Sequence, residues 1–265
     1  MTPRSVAYPG LRRPVLASAA AFFALASPVF AAEQNADELA KQLSNPVAAL
    51  ISVPFQLNYD SGYASGDDRW TLNIQPVAPF SISEGWNVIS RTILPVITQD
   101  DSGIGDVLQS LFFSPKQPTA SGWIIGVGPA MLLPTGSSEF TQDQWALGPT
   151  AVVLKQEGSL TYGALVNHLW GISNDGLLDD TNATFLQPFV AKGLGQGVTL
   201  SANFEATYDW NGSGWNLPMN LMYTKVTKAG SQMLSYGGGV RVYLDSPTGG
   251  PDWGLRFIVT LLFPK

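Results

Sequence analysis

From Leu50 onward, apolar and polar residues alternate with a period of two, in runs of about 10 to 13 residues broken by Gly, Asp, Ser and Asn. In 51–60, Ile51, Val53, Phe55, Leu57 and Tyr59 alternate with Ser52, Pro54, Gln56, Asn58 and Asp60. The same pattern is clear in 198–209, 215–224, 234–245 and 253–263, and weaker in 70–80, 86–97, 106–114, 123–133 and 160–169. In 145–155 and 183–191 neither face is clearly the apolar one. Alternation of this kind fits a β-sandwich or a membrane barrel, and strand length separates them. Sandwich strands run about 5–6 residues, whereas a tilted strand crosses a bilayer in about 9–11. These segments have the longer span. The expected fold is an all-β, antiparallel transmembrane barrel of about twelve strands over 50–265.

Aromatic placement supports the same reading. Trp70, Trp145, Trp170, Trp210, Trp215 and Trp253 fall at one set of segment ends, and Trp86, Trp123, Phe80, Phe113 and Phe263 at the other. Two aromatic belts around an apolar band are what the two membrane interfaces select. The connections alternate as well. Short turns carry Lys116, Lys192 and Lys228, while the longer loops collect acids such as Asp67, Asp68, Asp100, Asp101, Asp175 and Asp180. Short periplasmic turns and longer outer loops are the usual barrel asymmetry.

The amino terminus reads as an export signal. Arg4, Arg12 and Arg13 precede the apolar run Val15 to Leu25, and Val29-Phe30-Ala31 offers small residues for cleavage after Ala31. Residues 1–31 are therefore expected to be removed, which makes the remainder more acidic. Residues 32–49 follow as a separate segment. Within it Asn35-Ala36-Asp37-Glu38 resembles a capping box that opens a short helix carrying Leu39 and Leu43 and ending before Pro46. This segment is expected to sit inside the barrel as a plug or at its periplasmic mouth.

Several chemistries are excluded or weakened. The chain has no cysteine and one histidine, so thiolate chemistry and a multi-histidine zinc site are impossible. A formal charge of −6 argues against nucleic acid as a partner. His168 lies at a segment end beside Trp170 with no serine motif, so no enzyme activity and no cofactor are expected. Gly193 to Gly197 precedes a strand rather than a helix and reads as a hairpin turn, not a phosphate loop.

Charges on the polar faces carry more information. Arg241 and Arg256 lie on consecutive strands with the parity that faces away from lipid. Glu205 shares that face, and Arg91 and Asp106 are placed with it. Charges inside such a wall must pair or touch water. They form either an ion-pair network that fills the lumen or a charged constriction that selects permeants.

The stretches QPVAPFSISEGWNVISRTILPV (75–96), SLFFSPK (110–116), LGPTAVVLKQ (147–156), YGALVNHLW (162–170), NATFLQPF (182–189) and the run from Gly237 to Lys265 carry a family resemblance. Together they resemble a Gram-negative outer-membrane family labelled as meta-pathway phenol-degradation outer-membrane proteins or transporters. The resemblance implies a barrel in the bacterial outer membrane with a transport role and supplies no substrate; the first expectation is a channel or transporter for small, hydrophobic or aromatic molecules, set among lipid and lipopolysaccharide. The final strand also looks like the signal read by the barrel-assembly machinery, with Pro264-Lys265 following the usual terminal aromatic. The alternatives to a channel are a non-conducting structural or surface-interaction barrel and a membrane-embedded lipid hydrolase.

Overall fold

The computed structural model describes residues 36–137, 139–173 and 180–264. The export signal expected over 1–31 and the loop stretch 174–179 lie outside the described residues. Twelve antiparallel strands form one closed sheet. The first six are β1 (Ile51–Ser61), β2 (Arg69–Ile74 and Val77–Ser81), β3 (Trp86–Thr98), β4 (Ser102–Ile104 and Val107–Pro115), β5 (Trp123–Leu133) and β6 (Ala146–Glu157). The rest are β7 (Leu160–Gly171), β8 (Asn182–Gly195), β9 (Val198–Phe204 and Ala206–Asp209), β10 (Gly214–Asn216 and Pro218–Ala229), β11 (Gln232–Tyr243) and β12 (Trp253–Phe263). Each strand pairs with its neighbour in sequence. β1 then pairs with β12 from Ile51–Phe263 to Ser61–Trp253, so no sheet edge is left open.

The interruptions have local causes. β2 breaks at Gln75-Pro76 and β9 breaks at Glu205, which lies opposite Pro218, and in both cases a proline N–H is missing from the ladder. Register is the same on both sides of these two breaks. In β4 the register slips, because Gly105, Asp106 and Val107 face only Leu94 and Pro95 of β3. That is a β-bulge, and it turns Asp106 out of the alternation of its strand. The turn between β8 and β9 places Gly195, Gln196 and Gly197 all at positive φ (89°, 55° and 74°). This is a tight hairpin geometry that glycine accepts without strain.

Alternation settles which face meets lipid. Phe257, Val259, Val240, Leu221, Val190 and Val153 point outward and are exposed, while Asn58, Asp60, Asn220, Arg241, Arg256 and Thr260 point inward and are buried. The large aromatics occupy the ends of this band. Trp70, Trp170, Trp215 and Trp253 pair with residues at the loop ends of neighbouring strands, and Trp86, Trp123 and Phe263 with residues at the turn ends. Trp145 and Trp210 flank the loop side beside β6 and β9. An outward apolar band between two aromatic rings makes this an outer-membrane barrel.

The segment before β1 lies within the barrel. It begins with α1 (36–43), whose last turn is closed by Ser44, with its N–H and hydroxyl on the Ala40 carbonyl at 3.3 and 3.1 Å. Leu39, Ala36 and Ala40 pack with Leu50 and the inward residues Val226 of β10 and Leu262 of β12. Beyond Pro46 the chain crosses to the opposite wall. There Val47 is enclosed by Ile89, Phe112, Val152, Leu154 and Leu165. Three polar contacts frame it: Gly197 N–H on Asp37 Oδ1 (2.6 Å), Gln156 Nε2 on the Lys41 carbonyl (2.9 Å), and Val47 N–H on Asn45 Oδ1 (3.0 Å).

Candidate functional site

The interior charges expected from strand parity converge on one side of the barrel. Arg256 of β12 and Glu205, at the break in β9, form a bidentate pair: Nη1 to Oε1 at 2.7 Å and Nη2 to Oε2 at 2.8 Å. The third donor of Arg256, Nε, goes to Asn58 Oδ1 of β1 at 2.7 Å. Arg241 of β11 reaches the same Asn58 oxygen at 3.2 Å and Glu205 Oε2 at 3.4 Å. It also forms an ion pair with Asp60 (3.0 Å) and donates to the Tyr243 hydroxyl at 2.9 Å. Both arginines are almost fully enclosed, at 6% and 3% exposed. Charge-assisted, forked contacts of this kind are the strong class of hydrogen bond.

The backbone makes room for these long side chains. Arg256 lies opposite Gly239 in the β11–β12 ladder, and Arg241 lies opposite Gly254. A Cβ at Gly239 would run into the Leu221 carbonyl, and one at Gly254 into the Tyr59 carbonyl. Each arginine therefore rests beside a bare stretch of wall and extends across it to its partners.

Arg91 of β3 stands apart from the pairs. Its Nη2 donates to Gln75 Oε1 at 3.1 Å, and among the described residues no carboxylate lies within ion-pair distance. Asp106 does not join the cluster. Its bulge aims it at the loop after β5, where it accepts from Gly136 N–H (3.0 Å), Thr141 Oγ1 (2.7 Å) and Gln142 N–H (2.7 Å). Asp106 thus anchors a loop, whereas Glu205, Arg241 and Arg256 share one network. Asn58, Asp60 and Tyr243 also belong to that network. Asn58 and Asp60 share the polar parity of β1 and Tyr243 that of β11, so following that parity to the strand ends, neutral side chains included, finds them. Gln75 had no parity signal, because it sits at the proline break.

Two cavities lie along the lumen. One, of about 300 Å³, lies between the 36–50 segment and the charged side of the wall, and one of about 360 Å³ lies on the other side of the ring described next. They share Gln56, Gln75, Arg91, Gln187, Asn203 and Arg256, a polar ring between them. In the second cavity, Ile93, Leu108, Leu165, Leu169 and Phe185 form an apolar wall facing the polar residues. Above the lumen, burial raises the Tyr63 hydroxyl pKa, opposed by the nearby Arg69.

His168 faces outward near the loop end. Its Nδ1 is 2.7 Å from Thr184 Oγ1, which also accepts from the Trp210 indole at 2.8 Å, and its ring packs at a tilt of 53° against Trp170, with centroids 4.1 Å apart. These contacts describe an interfacial girdle residue. No group of three or more metal-ligating side chains occurs among the described residues.

No protein-family model matches the chain, and no curated protein matches it in sequence. Solved structures match its fold. The COG4313 outer membrane channel from Pseudomonas putida F1 aligns with TM-score 0.62 at 14% identity, over 81% of this chain and 94% of that one. The NanC porin aligns with TM-score 0.50 at 13% identity, over 80% of this chain and all of the other. Outer membrane phospholipase A from Escherichia coli aligns with TM-score 0.50 at 11% identity, over 84% and 97%. The chain shares the fold of outer-membrane barrels.

Proposed function

We propose that the protein is a narrow outer-membrane channel for small molecules, with the 36–50 segment as a plug and the polar ring as its selectivity element. The pair of cavities meeting at that ring inside a closed barrel carries this reading. Eight-stranded barrels are filled by side chains, and barrels of about sixteen strands hold an open aqueous pore. Twelve strands with discontinuous lumenal space fall between them. The plug is held mainly by side-chain packing, so it can shift without breaking the wall. The fold shared with a solved outer membrane channel and a porin supports the same reading. The resemblance of 75–96 and 237–265 to the phenol-degradation family makes small aromatic and aliphatic solutes the first panel to test.

In this reading lipid and lipopolysaccharide surround the band, and the alternating β12 presents the assembly signal. Planar-bilayer recording of the purified protein, beside liposome swelling with the solute panel, tests it. Discrete conductance steps and solute-dependent swelling are expected. A folded protein that gives neither is a structural barrel, whose ion pairs serve only to fill the lumen.

A further inference from the structure

The polar ring is unequal in donors and acceptors. All three guanidinium nitrogens of Arg256 are engaged by Glu205 and Asn58, and its charge is cancelled by the bidentate carboxylate. Arg91 has only the Gln75 oxygen. That contact consumes the Gln75 acceptor and leaves its amide nitrogen without a protein partner among the described residues. Asn203 is in the same state, because its Oδ1 accepts from Asn220 Nδ2 at 2.8 Å and its own amide N–H groups remain. The junction between the cavities thus presents a cation and unfilled N–H donors beside the neutral amides of Gln56 and Gln187, and no carboxylate is within ion-pair distance of Arg91 among the described residues. These donors line the two cavities, where a ligand acceptor can replace water on them.

Charge points the same way. The cavity beside the 36–50 segment, here the inner one, is lined by Arg91 and Arg256 and by no carboxylate, and the second, outer one adds only Glu205 among charged residues. Once the Arg256–Glu205 pair cancels, one positive charge, Arg91, is left at their junction. Across from it the outer cavity is apolar, with Leu165 and Phe185 beside the ring residues. Its volume of about 360 Å³ is at the small end of ligand sites.

We propose that Arg91, with the amide N–H groups of Gln75 and Asn203, binds the anionic group of a small amphipathic monocarboxylate whose apolar body lies against Leu165 and Phe185. The guanidinium takes one or both carboxylate oxygens and the amides hold the remaining lone pairs. This deepens the channel reading by naming a permeant class, and it rests on that reading only for the route, not for the binding.

The test uses the full-length protein in detergent, titrated by calorimetry with benzoate, benzyl alcohol and benzylammonium, which share a ring and size but differ in charge. Benzoate is expected to bind at least tenfold tighter than the other two. Arg91→Gln should lose at least tenfold for benzoate alone, and Arg91→Lys should retain part of the affinity. If Arg91→Gln does not fold, as judged by heat-modifiable gel migration, Asn203→Leu removes one donor and should weaken benzoate severalfold. Equal binding of the three ligands, or unchanged benzoate affinity in a folded Arg91→Gln, overturns the site. Arg91-dependent binding by a protein that does not conduct upholds the site and removes the channel reading. Conductance without such binding does the reverse.

Discussion

The two sides of the polar ring are held together by different physics. On one side, Arg241, Arg256, Asp60 and Asn58 are almost fully enclosed and, with the half-buried Glu205, satisfy one another across β1, β9, β11 and β12. On the other side the 36–50 segment is held by Leu39, Val47 and Leu50 in apolar contact, with a few hydrogen bonds at its edges. A buried pair that loses one partner leaves an uncompensated charge, which costs about 3–5 kcal/mol. Each buried Leu or Val of the segment contributes about 1.5–3 kcal/mol, and ordering each of its residues costs about 1–2 kcal/mol. The wall is therefore a fixed element and the segment is near balance. On the channel reading proposed above, such a barrel would move the segment while keeping its frame.

The largest expected effect strikes the wall. Glu205→Gln leaves Arg256 without its carboxylate and should lower folding stability by about 3–5 kcal/mol, read from urea unfolding in lipid vesicles. A loss below about 1 kcal/mol would be in the range of exposed pairs and would erase the contrast between the two sides. Val47→Asp, in the segment, should behave differently. A carboxylate placed among Ile89, Phe112, Val152 and Leu154 disfavours docking of the segment but leaves every strand pairing intact. Conductance should rise severalfold while the unfolding midpoint of the barrel changes little. Equal damage to both readouts would make the segment part of the frame.

A third substitution tests the outside of the same wall. Val259 is outward and near the middle of β12, so Val259→Arg should cost about 2–4 kcal/mol, the lipid-face penalty at the midplane. Thr224 lines the inner cavity, and Thr224→Arg should cost less and reduce conductance instead. The same unfolding assay and single-channel recording separate the two outcomes.

Much of this was written in the period-two pattern. β1, β10, β11 and β12 alternate cleanly because their inward faces are polar except near the turn end, where Val226 and Leu262 meet the helix, and the parity that placed Arg241, Arg256 and Glu205 together comes from those strands and β9. In β6 and β8 the pattern is blurred for a reason the fold makes plain. Val152, Leu154, Phe185 and Phe189 point inward and are apolar because they receive or border Val47, so both faces of those strands are hydrophobic. The feature that obscured their register is the docking wall of the segment. Asp106 escaped in another way, since a one-residue bulge reverses parity and leaves no composition signal. Gln75 was hidden beside Pro76, where the ladder stops.

The smallest effect belongs to the rim, where the same chemistry as in the wall meets water. Asp68 lies just before β2 and accepts from the Tyr59 hydroxyl at 2.6 Å. Hydrogen bonds from Tyr59, and secondarily Ser61, hold its carboxyl below the usual carboxylate range. A depressed folded-state value gives a contribution that is present above the unfolded value of about 3.9. It is lost as pH falls through the folded one. Tyr59→Phe removes the larger cause, so the Asp68 carboxyl should titrate closer to its ordinary value in a ¹³C NMR experiment. The barrel's unfolding midpoint should not move measurably, because an exposed contact exchanges one set of hydrogen bonds for another with water. If Tyr59→Phe instead destabilised the barrel as Glu205→Gln is expected to, burial would not be what separates the charges of the wall from those of the rim.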